Sequence, residues 1–550
     1  MKPTDQNRRQ FLRNSGLTLG LGALGSAPVS LASAVGFPAP AIVASNRPGL
    51  PLALQTGDPS WDGLVVWARA DRAARLIVEY SLDPDFRRPV RLTGPVATQG
   101  TDFTSRLLLR GAIPGQDYYV RAAFENTDWS RGPGPWQTGT FNLPSPVKQK
   151  PIRFLWSGDM CGQGWGINPE FGGAKIYESM RLRKPDFFIH SGDTVYADGP
   201  IASEAVAENG KVWRNIVTEE VAKVAETLRE FRGRHRYNML DANVQRFARE
   251  VPQIWQWDDH EVLNNYSAAK DLSANPAYTV KNVRLLAARG QRAFLENAPM
   301  RYYPNLPNVG FGYRDGWEHA WEGVPDRVYR QIPYGPQLDV FVLDERRYRG
   351  PNSTNLQKQE SRKTAFLGNE QIDWLVAGLK KSRATWKVIA SDMPIGLYVP
   401  DGTDSEGHAM WEAIANGNDG PARGRELEFA RLLSRIKQAR IKNVVWLTAD
   451  VHYTAAHYYR PDAAVFKDFD PFWEFVSGPL NAGSFGPNAL DKTFGPQLVF
   501  QKAPPVANSS PFAGYQFFGE VNIDPVDRTL TVDLRDGDGK SQFTQTLQAK

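Results

Sequence analysis

The chain has 550 residues, of which 41% are hydrophobic and 23% charged, which excludes a disordered chain, a coiled coil and a collagen-like repeat. Lysine and arginine (65) outnumber aspartate and glutamate (60), but residues 1–34 alone carry four basic residues and one acidic residue, so the remainder is nearly neutral. No basic run is dense enough to predict a nucleic-acid groove. A single cysteine, Cys161, excludes an intramolecular disulfide.

The first 34 residues have the features of an export signal. Paired arginines at 8 and 9 are followed by Phe11 and Leu12, a weakly apolar, glycine-rich stretch and the small residues Ala32-Ser33-Ala34. The arginine pair resembles a twin-arginine signal, which implies the twin-arginine export machinery as a partner and a periplasmic or extracellular location. The alternative is a chance arginine pair before an anchor helix. Past residue 34 no stretch approaches the roughly 18 apolar residues of a membrane span.

Residues 45–145 have the pattern of a small β-sandwich. Short apolar segments at 63–69, 74–80, 103–109 and 118–124 are separated by turns rich in glycine and proline. This spacing is typical of an all-β, fibronectin- or immunoglobulin-like domain. Because the segment holds no cluster of titratable residues, we expect it to have a structural role.

The pattern changes to α/β over residues 150–550, where apolar runs alternate with helix-like stretches. The predicted strands are 152–156, 187–190, 254–257, 338–343, 386–390 and 444–447. The predicted helices are 174–183, 218–231, 280–297, 369–381 and 425–439. Strand alternation returns beyond Gly514, with a hairpin turn predicted at 536–539.

Acidic residues follow five of these apolar runs. The residues are Asp159 with Cys161, Asp193 with Tyr196, Asp258 and Asp259 with His260, Asp392, and Asp450 with His452. Ligands bind at the carboxyl ends of strands in α/β sheets. One such aspartate would be explained as a helix cap, but five carboxylates in one crevice would repel each other severely without cations. The sequence therefore predicts a site for several metal ions.

These motifs resemble those of a known superfamily. Gly-Asp-x-x-Tyr at 192–196, Asp-Asp-His-Glu at 258–261 and Asp-x-His at 450–452 resemble the calcineurin-like metallophosphoesterases. The first motif after a β-sandwich is similar to purple acid phosphatases. Asp159-x-Cys161, Trp257 before the acidic pair, and Ser-Asp-Met-Pro at 391–394 are similar to PhoD-type alkaline phosphatases. The resemblance covers nearly the whole chain and implies an α/β metallophosphoesterase sandwich, with layered sheets flanked by helices.

The resemblance implies a first metal site held by Asp159, Cys161, Asp193, Tyr196 and His452. A phenolate and a thiolate beside carboxylates favour a small, highly charged cation, so ferric iron fits better than zinc. Three alternatives stay open. Asp159 could contact a metal ligand instead of binding the metal itself, Cys161 could be a buried inert thiol, and Tyr196 could be a packed aromatic residue.

The second metal site departs from purple acid phosphatases, because Asp259, Asp392 and Asp450 match positions that those proteins fill with asparagine and histidine. Asp193 would bridge both metals. Hard oxygen ligands suit calcium, magnesium or manganese. The resemblance implies one or more calcium ions here, with manganese or zinc as the fallback. Asp258 could share this role, and Asp392 as a turn cap is the alternative to ligation.

The resemblance also implies that His260 contacts phosphate and donates a proton to the leaving group, while the alternative is a histidine bonded to Glu261 or to backbone. The expected function is an exported, metal-dependent phosphohydrolase that releases inorganic phosphate from monoesters by attack of a metal-bound hydroxide. Two other functions remain open: a phosphodiesterase or phospholipase D-type activity in the same site, and a non-catalytic exported binding protein.

Overall fold

Two β-sheets packed face to face form the centre of the computed structural model, which describes residues 46–128, 132–147, 150–301 and 327–550. The predicted export signal at 1–34 lies outside these residues. No helix among the described residues is long and apolar enough to cross a bilayer.

The strands belong to three larger sheets and two short hairpins. In chain order they are β1 (Gln55–Ser60), β2 (Gly63–Arg69), β3 (Ala74–Ser81), β4 (Val90–Ala97), β5 (Thr104–Arg110), β6 (Asp117–Glu125), β7 (Gln137–Asn142), β8 (Ile152–Ser157), β9 (Phe187–His190), β10 (Glu204–Val206), β11 (Val212–Arg214), β12 (Gln253–Trp255), β13 (Arg330–Pro333), β14 (Leu338–Val342), β15 (Trp386–Ala390), β16 (Pro400–Thr403), β17 (Ala409–Trp411), β18 (Val444–Thr448), β19 (Thr454–Tyr459), β20 (Phe472–Val476), β21 (Pro496–Lys502), β22 (Phe517–Ile523), β23 (Leu530–Asp536) and β24 (Ser541–Leu547). The helices are α1 (Lys175–Leu182), α2 (Leu228–Asn238), α3 (Ala242–Glu250), α4 (Val283–Asn297), α5 (Asn369–Lys381) and α6 (Arg425–Gln438).

The two central sheets share one apolar core. The nine-stranded sheet has the order β24-β23-β22-β8-β9-β12-β1-β2-β5, and the seven-stranded sheet has the order β13-β14-β15-β18-β20-β19-β21. Phe154 and Ile189 of the first sheet are buried in one cluster with Val340, Val388 and Leu447 of the second. Helices α1 and α3 cover the outer face of the first sheet, and α5 and α6 cover that of the second. The expected layered sheets flanked by helices are therefore present.

The N-terminal strands form a sandwich that is continuous with the nine-stranded sheet. The sheet β4-β3-β6-β7 buries Val78, Val120 and Phe141 against Leu64 and Val66, which lie on β2. Strand β1 in turn pairs in parallel with β12, so one sheet runs from this region into the rest of the chain. The predicted apolar segments are all strands. The fibronectin- or immunoglobulin-like character and the domain boundary stay predictions.

Gly57 is the position at which β1 meets β12, and it has no room for a side chain. A Cβ there would lie 2.1 Å from the Pro299 carbonyl oxygen and 2.7 Å from that of Gln253. We therefore expect Gly57→Ala to lower the free energy of unfolding by about 1–3 kcal/mol, measured by denaturant titration. Gly100→Ala is the matched control, because its Cβ would meet only the Thr98 hydroxyl, at 3.4 Å. Equal stability of the two variants would contradict this account of the junction.

Four of the five predicted helices match the structure within a few residues, whereas the helix predicted over 218–231 is wrong. The Thr227 side chain accepts a hydrogen bond from the Glu230 N–H, and the Glu230 carboxylate accepts one from the Thr227 N–H, so helix α2 begins at Leu228. Helix α3, which was not predicted, begins where the Asp241 carboxylate accepts hydrogen bonds from the backbone of Asn243 and Val244.

The predicted turn at 536–539 does join β23 to β24. The predicted strands are also present, and their directions place their carboxyl ends together. Strands β8, β9 and β12 run parallel to one another, as do β14, β15, β18 and β20 in the other sheet. The loops that leave β8, β9, β12, β15 and β18 carry the predicted acidic residues, so the fold positions them along one edge of the sandwich.

Candidate metal centre

The predicted carboxylates are withdrawn from solvent at this edge. Asp159, Asp193, Asp259 and Asp392 are each at most 3% exposed. The Asp450 side chain is 11% exposed. Burial together with neighbouring carboxylates raises the pKa of Asp159, Asp193, Asp392 and Asp450 well above the usual value, and raises that of Asp259 to about 6. Charged forms of these groups would therefore need a compensating cation.

The turns that carry the site residues adopt a conformation that is rare for residues with side chains. Asp159 (φ 68°), Cys161 (61°), Asp193 (47°), Asp450 (61°) and His452 (59°) all lie in the left-handed region. Each such residue costs on the order of 1–3 kcal/mol, and such strain concentrates at functional sites. The concentration of strained turns at this edge is therefore a signal of function that does not depend on the carboxylates.

The first group of ligand atoms comprises Asp159, Asp193 and His452, whose side-chain atoms lie within 4.8 Å of one another. The Asp159 Oδ1 atom is 3.3 Å from His452 Nε2, and the Tyr196 hydroxyl donates to the same nitrogen at 2.8 Å. His452 Nδ1 donates to the Gly483 carbonyl, so Nε2 is the ring nitrogen that carries the lone pair. Four of the five predicted ligands of the first metal thus converge.

The second group comprises Asp193, Asp259 and His260, again within 4.8 Å. Asp193 belongs to both groups, as a bridging ligand would. His260 Nδ1 lies 2.6 Å from Asp198 Oδ1. Burial disfavours the protonated imidazole, but the carboxylates of Asp198, Asp259 and Asp258 together more than offset this and raise the pKa of His260 to about 10. The protonated imidazole is therefore favoured, and the role of His260 as a proton donor stays a prediction.

Asp198 received no role in the sequence analysis, although it lies only two residues after Tyr196. Its second oxygen accepts a hydrogen bond from the Asn264 N–H at 2.6 Å, so both oxygens are engaged. The carboxylate is therefore fixed in place and holds the His260 ring. The short distance along the chain to Tyr196 is the sequence signal that could have identified it.

Several of these buried carboxylates lack ordinary hydrogen-bond partners. Neither side-chain oxygen of Asp159 or Asp392, nor Asp258 Oδ2, accepts a hydrogen bond from the described residues. A buried carboxylate without a partner costs several kcal/mol, so it is retained where a cation or another group compensates it. The donor set of carboxylates, a phenol and an imidazole nitrogen therefore fits metal ions.

The arginine Arg346, which the sequence analysis missed, lies among the remaining acidic side chains. Its guanidinium is fully buried, donates hydrogen bonds to Asp258 and Glu412, and lies 3.7 Å from Asp392 Oδ2 and 3.8 Å from Asp450 Oδ1. Although burial acts in the opposite direction, Arg346 holds the pKa of Asp258 below its usual range. Asp392 and Asp450 therefore lie beside the Arg346 guanidinium, whereas Asp259 belongs to the second group of ligand atoms.

Cys161, like Asp392 and Asp450, is a predicted ligand that belongs to neither group of ligand atoms. Its Sγ atom accepts a hydrogen bond from Asn481 Nδ2 at 3.8 Å, and its side chain packs in the core beneath the nine-stranded sheet, near Tyr177. Burial raises the pKa of the thiol. This placement matches the alternative of a buried thiol, and ligation by Cys161 stays a prediction.

The turn after β9 and the turn after β12 are locked together. The Glu261 carboxylate accepts hydrogen bonds from the Thr194 N–H and hydroxyl, both at 2.7 Å, and from the Asp258 N–H at 2.8 Å. Gly192 allows this approach, because a Cβ there would lie 2.6 Å from that of Asp258. Glu261 therefore has a scaffolding role, and His260 is bonded to Asp198 rather than to Glu261.

A cleft of about 550 Å³ opens over both groups of ligand atoms. Its lining includes Asp193, Asp259, His260 and Asp450, together with Phe485 on one wall. Among the described residues, no lysine or arginine lines it. An anionic substrate therefore has only bound cations and His260 to balance its charge.

The packed sheets and the shared carboxylate groups at their strand ends define a metallophosphoesterase-like fold and site. The family model "PhoD-like phosphatase" matches residues 154–534, and "PhoD-like phosphatase, N-terminal domain" matches residues 38–141. The chain therefore belongs to the PhoD-like phosphatase family and is a phosphoesterase hydrolase, which confirms the resemblance and argues against a non-catalytic binding protein.

Individual relatives agree with this assignment. The chain is 27% identical over 527 residues to "Alkaline phosphatase D" of Bacillus subtilis (strain 168), covering 92% of this chain and 81% of that protein. "Structure of PhoD" superposes with a TM-score of 0.64 at 22% identity, covering 90% of this chain and 92% of that one. The purple acid phosphatase PPD1 from yellow lupin (Lupinus luteus) seeds superposes with a TM-score of 0.53 at 13% identity, covering 91% of this chain and 74% of that one. The two structural matches confirm the fold.

Proposed function

We propose that the protein is an exported phosphatase that releases inorganic phosphate from phosphate monoesters in the cleft above Asp193. The observation that carries the proposal is the pair of ligand groups that share Asp193 at the floor of a cleft without basic side chains. Such a site binds the phosphate of a substrate only when cations are present.

The residues that would hold the cations divide between the two groups. Asp159, Asp193, Tyr196 and His452, with the predicted Cys161, would hold ferric iron. Asp193, Asp259, Asp392 and Asp450 would hold one or more calcium ions, with manganese or zinc as the fallback. When bound, the cations neutralise the phosphate and lower the pKa of water in the site.

The protein's own contribution to bond cleavage centres on His260. Its Nδ1 atom is fixed by Asp198, and Nε2, which lies 3.8 Å from Asp259 Oδ1, is the ring nitrogen that remains to serve the cleft. Protonated at this position, His260 donates its proton to the leaving oxygen. Asp198 is a positioning residue, because it holds the imidazole and favours its protonated form.

The effect on kcat of removing this proton donor should depend on the leaving group. We expect His260→Asn to lower kcat by about 10²–10⁴-fold for an alkyl phosphate, whose alkoxide needs a proton, and far less for nitrophenyl phosphate. Asp198→Asn should show the same dependence with a smaller effect. His408→Asn is the control, because that histidine is 61% exposed in side chain and does not line the cleft. An equal loss with both substrates would refute the role of His260.

A diester substrate is the second candidate function, and the lining of the cleft favours it. A phosphodiester carries one negative charge, whereas a monoester carries two at alkaline pH. A cleft without lysine or arginine therefore has less negative charge to balance when it binds a diester. Parallel assays of nitrophenyl phosphate and its bis-ester at alkaline pH separate the two. If kcat/KM is higher for the bis-ester, the diester and not the monoester is the preferred substrate class.

Export by the twin-arginine machinery is the third part of the proposal. Replacing both arginines in Arg8→Lys/Arg9→Lys should retain the precursor, folded, in the cytoplasm, since a site assembled from five strand ends forms only in the folded protein. Cell fractionation measures the outcome, with Arg13→Lys as the control. Mature double variant outside the cytoplasm would contradict the twin-arginine assignment.

A further inference from the structure

We propose that the edge of the sheets opposite the metal centre docks onto an anionic lipid bilayer. A depression of about 510 Å³ lies at this edge, beside the starts of β15 and β18. Its basic side chains are Lys380, Arg383, Lys387, Arg440, Lys442, Arg528 and Lys550, and we call it the basic depression. Asp527 is the one acidic side chain that lines it among the described residues.

Most of the positive charge in the basic depression is not neutralised within the described chain. Lys442 pairs with Asp470 at 2.6 Å, and Lys387 donates to the Ala384 carbonyl. The other five side chains form no ion pair with the described residues; they are Lys380, Arg383, Arg440, Arg528 and Lys550. Cations that converge without internal partners create a positive potential that attracts an anionic partner.

An apolar pocket of about 380 Å³ adjoins the basic depression. The two cavities share Ile441, Lys442, Asn443 and Lys550. Two half-buried aromatic side chains, Tyr458 and Trp473, lie on the wall of the pocket, whereas Trp386, Trp446 and Phe472, which also line it, are buried in the core. Tryptophan and tyrosine beside lysine and arginine are the residues that proteins place at the interface between lipid and water.

Val526 adds an exposed apolar tip to the same edge. It is 89% exposed, in the turn between β22 and β23, two residues before Arg528 of the basic depression. An isolated exposed valine is ordinary. At the margin of a basic and aromatic surface, however, it is placed to enter the headgroup region.

The combination of charge and apolar surface distinguishes a bilayer from other anionic partners. A phosphate-rich polymer or free phosphate would use the basic depression but not the aromatic pocket or Val526. Anionic lipid uses all three, through its headgroup and its acyl chain. Docking at this edge would leave the cleft, at the carboxyl ends of the same strands, open to dissolved substrates.

Vesicle flotation of the mature holoenzyme tests the proposal. We expect binding to vesicles of equal parts phosphatidylglycerol and phosphatidylcholine, none to pure phosphatidylcholine, and loss of binding when NaCl rises from about 0.1 M to about 0.5 M. Removing three cations in Arg383→Gln/Arg440→Gln/Arg528→Gln should weaken the apparent affinity roughly 100-fold. Val526→Asp should weaken it by about tenfold, because it removes an apolar contact and adds a charge that an anionic surface repels.

Matched controls carry the same changes elsewhere on the surface. Arg88→Gln/Lys363→Gln/Lys358→Gln neutralises three exposed cations away from this edge, and Ile113→Asp places a charge at a residue that is 62% exposed in the N-terminal sandwich. All variants should keep wild-type hydrolysis of a soluble nitrophenyl ester. Binding that the triple variant retains would overturn the proposal. So would binding that dilute inorganic phosphate abolishes at constant ionic strength, because this would indicate a site for a small anion.

Discussion

Replacing Arg346 by leucine is expected to lower the free energy of unfolding by about 3–5 kcal/mol, because breaking a buried ion pair leaves the remaining charges uncompensated. The guanidinium is the hydrogen-bond partner of both Asp258 and Glu412 and lies within 4 Å of two further carboxylates. Leucine would fill part of the volume but supply no charge. Denaturant titration of the metal-loaded protein, followed by calorimetry, measures the loss.

Two control variants sharpen this prediction. Arg214→Leu removes an arginine that is 53% exposed and pairs with Glu170 and Glu204, and such surface pairs contribute little to stability. Arg346→Lys keeps the charge but loses the planar fork of donors, so its stability should be intermediate. If Arg346→Leu is no less stable than Arg214→Leu, Arg346 does not compensate the acidic cluster.

Replacing Asp193 by alanine is expected to remove both activity and bound cations. Asp193 is the residue common to the two groups of ligand atoms, so its loss affects both. We expect kcat to fall by at least roughly 10³-fold, since removing even one group that stabilises charge at a reaction centre costs about 10²–10³-fold. Steady-state assays and elemental analysis of the same preparation measure the two effects together.

Asp339→Ala is the matched control, because Asp339 is also a buried aspartate but lies on β14 and hydrogen-bonds to Gln331 and Ser382. It should keep its cations and its kcat. Asp193→Ala protein that is folded, fully loaded with cations and active would contradict a bridging role.

The strand ends could be predicted from the sequence because two simple patterns coincide there. A short apolar run marks a buried strand, and an aspartate directly after it marks a carboxyl end at which ligands bind. Asp159, Asp193 and Asp259 satisfy both patterns, and the structure places them at one edge. Tyr196 and His452 followed from their spacing to these aspartates within motifs that resemble a known family.

Other features depend on contacts between distant parts of the chain, which periodicity does not reveal. Arg346 follows the apolar run at 338–343 and was passed over, because an arginine after a strand has no obvious ligand role. Its position beside Asp258 arises only when the two sheets pack together. The same holds for β1, whose pairing with β12 joins regions almost 200 residues apart and makes the N-terminal sandwich continuous with the nine-stranded sheet.

For Cys161 the motif predicts a metal ligand, whereas the packing matches a buried thiol. The spacing Asp-x-Cys is the same as in the family that the chain resembles, but the side chain of a residue in a left-handed turn follows from the backbone and from packing. Here the thiol lies in the core beside Asn481 rather than among the carboxylates. The spacing of residues in the sequence does not predict the direction in which the Cys161 side chain points.

Elemental analysis of the folded, active protein purified from its native host tests the central claim most directly. The account predicts stoichiometric iron together with calcium, or manganese or zinc in place of calcium, and the loss of both metals from Asp193→Ala but not from Asp339→Ala. Active protein that contains no stoichiometric metal would contradict the assignment of these buried carboxylates as a metal centre.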